Sequence, residues 1–146
     1  MKTAKFGGSS LASAAQIRKV CDIITADTSR RLIIVSAPGK RTAQDTKVTD
    51  LLIQAAEARL THQDGEQEMG LVEARYVEIA SGLGLEQDDV DPIIADLRHR
   101  LQADTADEGL FLDTMKAAGE ANSARLTAAF LRHRGVDAHY VDPGEA

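Results

Sequence analysis

The spacing of apolar residues changes period along the chain, and each change marks an element. Lys2 to Phe6 reads as a short strand stopped by Gly7-Gly8-Ser9-Ser10, because glycine ends extended runs and tolerates positive φ. Ile17, Val20, Cys21 and Ile24 then recur at three- to four-residue steps. That period predicts a helix over Ser10–Ala26, with Ser13 and Gln16 at capping-box spacing. Arg31 to Ala37 holds the unbroken run Leu32-Ile33-Ile34-Val35, the pattern of a strand buried on both faces of a parallel sheet. Strand, crossover helix and strand make the elementary right-handed β-α-β unit.

Pro38-Gly39 stops the second strand, and Lys40 to Lys47 is a polar loop. Helical periodicity resumes at Val48–Leu60, pauses at the polar turn Thr61–Glu66, and returns over Glu68–Ser81, Pro92–Ala103 and Asp107–Ala117. Asp91-Pro92 pairs a cap residue with a first-turn proline. Gly119-Glu120 opens a further helix, Glu120–Arg134, which closes on Arg132-His133-Arg134-Gly135, where cations meet the negative dipole end. Val136–Val141 is expected to be a third strand. Asp142-Pro143-Gly144-Glu145-Ala146 follows it with no helix to cover its far face. The pattern therefore predicts an α/β chain whose sheet is unfinished, the amino-terminal part of a larger enzyme.

Composition narrows the function classes. The 146 residues are one domain's worth of chain, and 43% hydrophobic with 27% charged residues is ordinary globular usage. A formal net charge of -6 disfavours generic binding to nucleic acid or anionic lipid. Aromatics at 3%, with no Trp, leave little material for stacking bases. No apolar run approaches the roughly 18 residues of a membrane helix, no signal-peptide core is present, and the one cysteine, Cys21, cannot form an internal disulfide. These features predict a cytoplasmic protein with neither nucleic-acid nor membrane partners.

The chemistry-bearing residues gather where strands end. Lys5-Phe6-Gly7-Gly8-Ser9-Ser10 sets a cation at a strand's carboxyl end, then two bare backbones, then hydroxyls ahead of a helix. Such an arrangement suits a phosphate, with backbone N–H groups and a helix dipole facing the anion and Lys5 neutralising a transferring phosphoryl group. It suits an ordinary glycine-rich turn with a solvated lysine equally well, and it is not a Walker A loop, since the lysine precedes the glycines. Ser36, at the end of the second strand, is placed to bind substrate or to satisfy its own turn. Lys40, Arg41 and Lys47 either steer an anion or form a solvated loop around Asp45. Thr49 is a helix cap or a ligand contact, and Glu120 a dipole partner or the anchor of an α-ammonium group. Cys21 falls on an apolar helix face, and His62, His99, His133 and His139 have neither metal nor triad spacing.

Lys5-Phe6-Gly7-Gly8-Ser9-Ser10, Val35-Ser36-Ala37-Pro38-Gly39-Lys40, Val48-Thr49-Asp50-Leu51-Leu52 and Gly119-Glu120-Ala121-Asn122-Ser123 together, in order and spacing, resemble the aspartate kinase family. The resemblance implies the amino-acid-kinase fold, a three-layer α/β sandwich with a mainly parallel sheet. Residues 1–146 would be the amino-terminal portion of the catalytic domain, without the rest of that domain and without the ACT regulatory domains. It implies ATP-dependent phosphorylation of the side-chain carboxylate of L-aspartate to 4-phospho-L-aspartate, the first step of lysine, threonine and methionine biosynthesis. Lys5 would be the catalytic lysine, and Lys5, Gly7, Gly8 and Ser9 the nucleotide-phosphate loop. Ser36, Thr49 and Glu120 would bind aspartate, with ATP and its Mg2+ as cofactors.

A carboxylate nucleophile, with an ordinary pKa of about 3.9, is ionised at neutrality and needs no general base, so the lack of a placed histidine is no objection. The family's substrate arginine, the aspartate orienting its lysine, and most adenine contacts lie later in the chain. The resemblance therefore implies a full-length homo-oligomer that is active and an isolated chain that is not. Two alternatives stand beside it: a kinase of the same fold acting on glutamate, acetylglutamate or a nucleotide, and a non-catalytic binding module.

Overall fold

β1 (Lys2–Phe6) and β2 (Arg30–Val35) pair in parallel in the computed structural model, which describes residues 1–144. Thr3 lies opposite Leu32, Ala4 opposite Ile33, Lys5 opposite Ile34 and Phe6 opposite Val35. A 3-10 turn at Gly8–Leu11 and α1 (Ala14–Ala26) form the crossover. Four helices follow: α2 (Val48–Leu60), α3 (Glu66–Gly82), α4 (Gln87–Leu101) and α5 (Glu108–His133).

Because side chains alternate across a strand, Phe6, Ile33 and Val35 share one face and pack into the helical core. The other face holds Thr3, Lys5, Leu32 and Ile34, and Leu32 and Ile34 remain 49% and 45% exposed. The expected burial of β2 on both faces is thus met on one side, since no helix among the described residues covers the second. The core is a single cluster drawn from every helix, with Leu11, Ile17, Leu52, Met69, Ile93, Leu97, Phe111, Met115 and Leu126 essentially sealed from solvent. Each such side chain contributes on the order of 1.5–3 kcal/mol of transfer free energy.

Three helices differ from the sequence pattern by more than two residues. α1 begins at Ala14 instead of Ser10, because the Ser13 Oγ accepts the Gln16 N–H and caps it there, while the preceding residues close a 3-10 turn. α4 begins at Gln87, since Asp88 and Asp89 favour the positive end of the dipole and Asp89 Oδ2 accepts the Glu86 N–H. Pro92 is therefore inside the helix, where it removes one hydrogen bond near the start, and Asp91 is not a cap. The two helices expected on either side of Gly119 are one continuous α5.

The expected strand Val136–Val141 does not join the sheet, which has two strands among the described residues. After Gly135, at φ 83°, the segment runs irregularly beside α5. There Ala138 O accepts a hydrogen bond from Arg132, and the Tyr140 ring stacks under the Arg125 guanidinium at 4.4 Å. Alternation predicts an extended chain but not a partner, and pairing is a property of tertiary context. Of the closing residues, Glu145 and Ala146 lie outside the described residues.

Cys21 is completely buried on the inner face of α1. Burial pushes its thiol up to about 11, with Arg134 pulling the other way and Asp22 adding to the rise. The native protein at pH 8 should therefore leave Cys21 unmodified by Ellman's reagent, and labelling should track unfolding through a urea titration. Rapid labelling before the unfolding transition would contradict this packing.

Candidate functional site

The ends of β1 and β2 continue toward one another beyond the sheet. Ser36 N–H donates to Phe6 O at 3.1 Å, and Gly39 N–H donates to Gly8 O at 2.8 Å. Gly39 is needed at this crossing, and little room is left for a side chain at Gly8. A Cβ on Gly39 would lie 2.7 Å from the Gly8 carbonyl carbon, and one on Gly8 3.1 Å from Ala37 O. Pro38 O then accepts the Val48 N–H at 3.1 Å, which fixes the start of α2 against the same loop.

α5 closes the remaining side. A Cβ on Gly119 would sit 2.5 Å from the Cβ of Ala37, closer than any real contact. Glycine in a helix costs about 1 kcal/mol relative to alanine, yet here it lets the helix backbone press onto the loop after β2. Glu120, the next residue, is thereby brought beside that loop from the middle of a helix, so the expected placement at a helix start is corrected. Its carboxylate gains nothing from a helix amino terminus.

These contacts enclose an open cleft of about 450 Å³ lined by Gly8, Ser9, Ser36, Ala37, Pro38, Gly39, Lys40, Lys47, Thr49 and Glu120. A volume of this size falls in the range of small-ligand sites. The cleft therefore brings together Gly8, Ser9, Ser36, Thr49 and Glu120. Lys5 and Gly7 are not among its walls. Lys5 stands on the exposed face of β1 opposite Ile34, and Gly7 is an exposed residue heading the 3-10 turn.

Two features of the cleft were unassigned or open in the sequence. The glycine loop leads into a 3-10 turn, with α1 starting beyond a filled Ser13 cap, so the expected dipole is not delivered there. It is α2 whose amino terminus reaches the cleft. No side chain among the described residues caps it, and Lys47 at the cap position and Thr49 in the first turn both line the wall. An open helix amino terminus favours an anion. Thr49 is accordingly not a cap.

The loop cations divide into two kinds. Lys40 and Lys47 line the cleft. Arg41 instead turns away, binding Asp45 through Nε at 2.8 Å and Nη2 at 3.0 Å, and Glu78 at 2.6 Å. Hydrogen bonds from the Arg41 side chain, then from its backbone N–H, hold the Asp45 carboxyl well below the usual carboxylate range. Sequence reasoning missed one participant altogether, the 4% exposed Arg75 of α3, whose guanidinium donates to backbone oxygens of both loops. An arginine flanked by Ala74 and Tyr76 on a helix carries no local sign of that role.

With the geometry defined, comparison places the chain. The amino acid kinase family profile matches residues 3–146, and the chain belongs to that family. It is 48% identical to Aspartokinase 3 of Bacillus subtilis (strain 168) over 146 residues, all of this chain and 32% of that protein. The crystal structure of Clostridium acetobutylicum aspartate kinase superposes with a TM-score of 0.74 at 33% identity, over 89% of this chain and 29% of that one. Escherichia coli aspartokinase III, solved with aspartate and ADP, has the same fold at a TM-score of 0.63 and 22% identity, over 92% of this chain and 29% of that one. The chain thus spans about a third of the length of the relatives it matches, and its two strands and one helical layer are part of the amino-acid-kinase fold.

Two measurements test this construction. Gly119→Ala should destabilise the protein by about 1–3 kcal/mol in urea unfolding, because overpacking against Ala37 outweighs the gain in helix propensity. Gly70→Ala, in α3 with nothing within 4 Å of its Cβ, should instead stabilise it by about 0.5–1 kcal/mol. The Asp45 ion pair should also appear in the pH dependence of stability. A carboxyl lowered in the folded state stabilises fully above its unfolded pKa of about 3.9, and that contribution disappears as pH falls further. Asp45→Asn should lower stability at pH 7 and flatten the loss below about pH 4; an unchanged acid limb would refute the pairing.

Proposed function

We propose that the protein carrying this chain is an aspartate kinase, which transfers the γ-phosphoryl group of ATP to the side-chain carboxylate of L-aspartate and yields 4-phospho-L-aspartate and ADP. The observation that carries the reading is the convergence of Gly8, Ser9, Ser36, Lys40, Lys47, Thr49 and Glu120 on one cleft. The 48% identity to part of a bacterial aspartokinase, over the full length of this chain, supports it.

A carboxylate oxygen attacks the γ-phosphorus, and the bond to the bridging oxygen of ADP breaks. The nucleophile is already ionised, so no residue has to remove a proton. The difficulty is to align two anions and neutralise their charge. Gly8 and Ser9 of the cleft wall, with Gly7 just before them, would present backbone amides and a hydroxyl to the nucleotide phosphates, and Lys5, on the exposed face of β1 outside the cleft walls, would supply positive charge to the group in transfer. Ser36 and Thr49 offer hydroxyls to the amino acid, with the open end of α2 facing its negative charge, and Glu120 pairs with the α-ammonium group. Mg2+ arriving with the nucleotide would neutralise β- and γ-phosphate oxygens. Such an ion is held chiefly by phosphates and water.

The same reading makes residues 1–146 the amino-terminal portion of the catalytic domain, inactive alone, in an enzyme opening lysine, threonine and methionine biosynthesis. None of the helices among the described residues is long and apolar enough to cross a membrane.

An ATP-dependent hydroxamate assay with aspartate tests the proposal. The natural gene product should turn over and residues 1–146 should not. In the active protein, Lys5→Ala should lower kcat by about 10²-fold or more, whereas Glu120→Ala should raise KM for aspartate by roughly 10- to 100-fold with a smaller effect on kcat. Hydroxamate formation with glutamate or acetylglutamate but not aspartate would assign the protein to another kinase of the fold. No nucleotide binding at all would assign it to a binding module.

A further inference from the structure

α3 touches no part of the cleft surface, yet two consecutive residues on its buried side reach both walls. Arg75 Nη2 donates to Gly39 O at 2.8 Å and to Ala12 O at 3.3 Å, and Nη1 donates to Thr46 O at 3.2 Å. Asp45 Oδ2 lies 3.3 Å from the same guanidinium. The oxygens belong to three places in sequence: the segment that follows the glycine loop, the turn after β2, and the residue before the Lys47 cap of α2. Tyr76, 1% exposed, donates from its hydroxyl to Gly119 O at 2.7 Å, one residue from Glu120.

A guanidinium buried to this degree is costly unless its donors are matched. Here the two terminal nitrogens of the fork meet three carbonyls that no single element supplies and lie beside the Asp45 carboxylate, while Nε is left unpaired. For fold stability alone an apolar side chain of similar volume would often serve as well. The one thing only this group provides is a fixed distance between loops that otherwise meet through a pair of glycines. The tyrosine does the same for α5, where Gly119 has no side chain with which to anchor itself.

We propose that Arg75 and Tyr76 are the positioning residues of the site: Arg75 locks the glycine loop to the Gly39–Lys47 loop, and Tyr76 locks the Glu120 segment of α5 against them. In the kinase reading, on which the kinetic half of this inference rests, the two act on different substrates. Arg75 sets the register between the phosphate loop and the loop bearing Lys40 and Lys47, so its loss strikes kcat and the nucleotide KM. Tyr76 sets the reach of Glu120, so its loss strikes the aspartate KM.

The test compares wild type, Arg75→Lys, Arg75→Met and Tyr76→Phe in the natural gene product, using amide hydrogen exchange and steady-state kinetics. Arg75→Lys keeps the charge and at least one hydrogen bond, so it carries the test should Arg75→Met fail to fold. In the Arg75 variants, exchange should accelerate about tenfold or more over residues 7–12 and 36–47, while α4 stays as protected as in wild type. kcat should fall by about tenfold or more, with the KM for ATP raised more than that for aspartate. Tyr76→Phe should accelerate exchange around residues 119–123 and raise the aspartate KM several-fold, with kcat within about twofold. Unchanged loop exchange in a folded Arg75 variant overturns its role, whatever the protein phosphorylates. Unchanged exchange around 119–123 or an unchanged aspartate KM overturns that of Tyr76. Accelerated exchange together with a wild type that makes no ADP in response to aspartate keeps the clamp and removes the kinase reading.

Discussion

Everything at the cleft depends on a backbone crossing in which Gly39 N–H meets Gly8 O and no side chain fits between the two loops. Parallel strands have no reason to stay together past their last ladder bond, and loops that leave them usually diverge. Here the ladder goes on, from Ser36 to Phe6 and from Gly39 to Gly8, and Val48 then takes the Pro38 carbonyl so that a helix is attached to the same run of bonds. Removing side chains at two positions is what brings the chains near enough for these bonds to form. The cost is the conformational entropy of two glycines, and the result is a rigid edge formed by residues far apart in sequence.

Around that edge the basic residues are sorted by what they touch. Arg41 and Arg75 are committed to carboxylates and carbonyls, and their forked donors suit several fixed acceptors at once. Lys40 and Lys47 are exposed on the cleft, as compact charges on flexible stems that can follow a ligand. Asp45 lies between the two sets and engages both arginines. Its presence in a loop that reads as mixed and solvated is therefore what leaves the two lysines without an acidic partner inside that loop.

What could be read from the sequence was local. The β-α-β unit, the α2 boundaries and the Gly7-Gly8, Ser36 and Thr49 positions follow from period, turn residues and motif order, all of which act over a few residues. Gly119-Glu120 misled because glycine beside a carboxylate is a helix-start signal locally, whereas its cause is a contact with Ala37, distant in sequence. The Val136–Val141 segment misled in the same way, since alternation specifies extension and not pairing. Arg75 was illegible for a stronger reason. Its partners are backbone carbonyls of Ala12, Gly39 and Thr46, and carbonyls leave no mark in a sequence. Pattern thus identified Ser9, Ser36, Thr49 and Glu120 of the cleft lining, named Lys5, which stands outside it, and missed the side chains that hold its walls.

The middle of a helix is a demanding place for a functional carboxylate. In the middle of α5, Glu120 has no amino terminus of its own helix to interact with, and it lines the cleft. Lys40, Lys47 and the start of α2 line the same cleft. A site lined by cations alone would accept any small anion, nucleotide phosphates included. One carboxylate among them changes that selection locally, because a cationic group of a ligand is attracted beside Glu120 and an anionic one is disfavoured there. The mixed sign of the cleft, more than its shape, is what would separate a ligand carrying charges of both signs from one carrying negative groups alone.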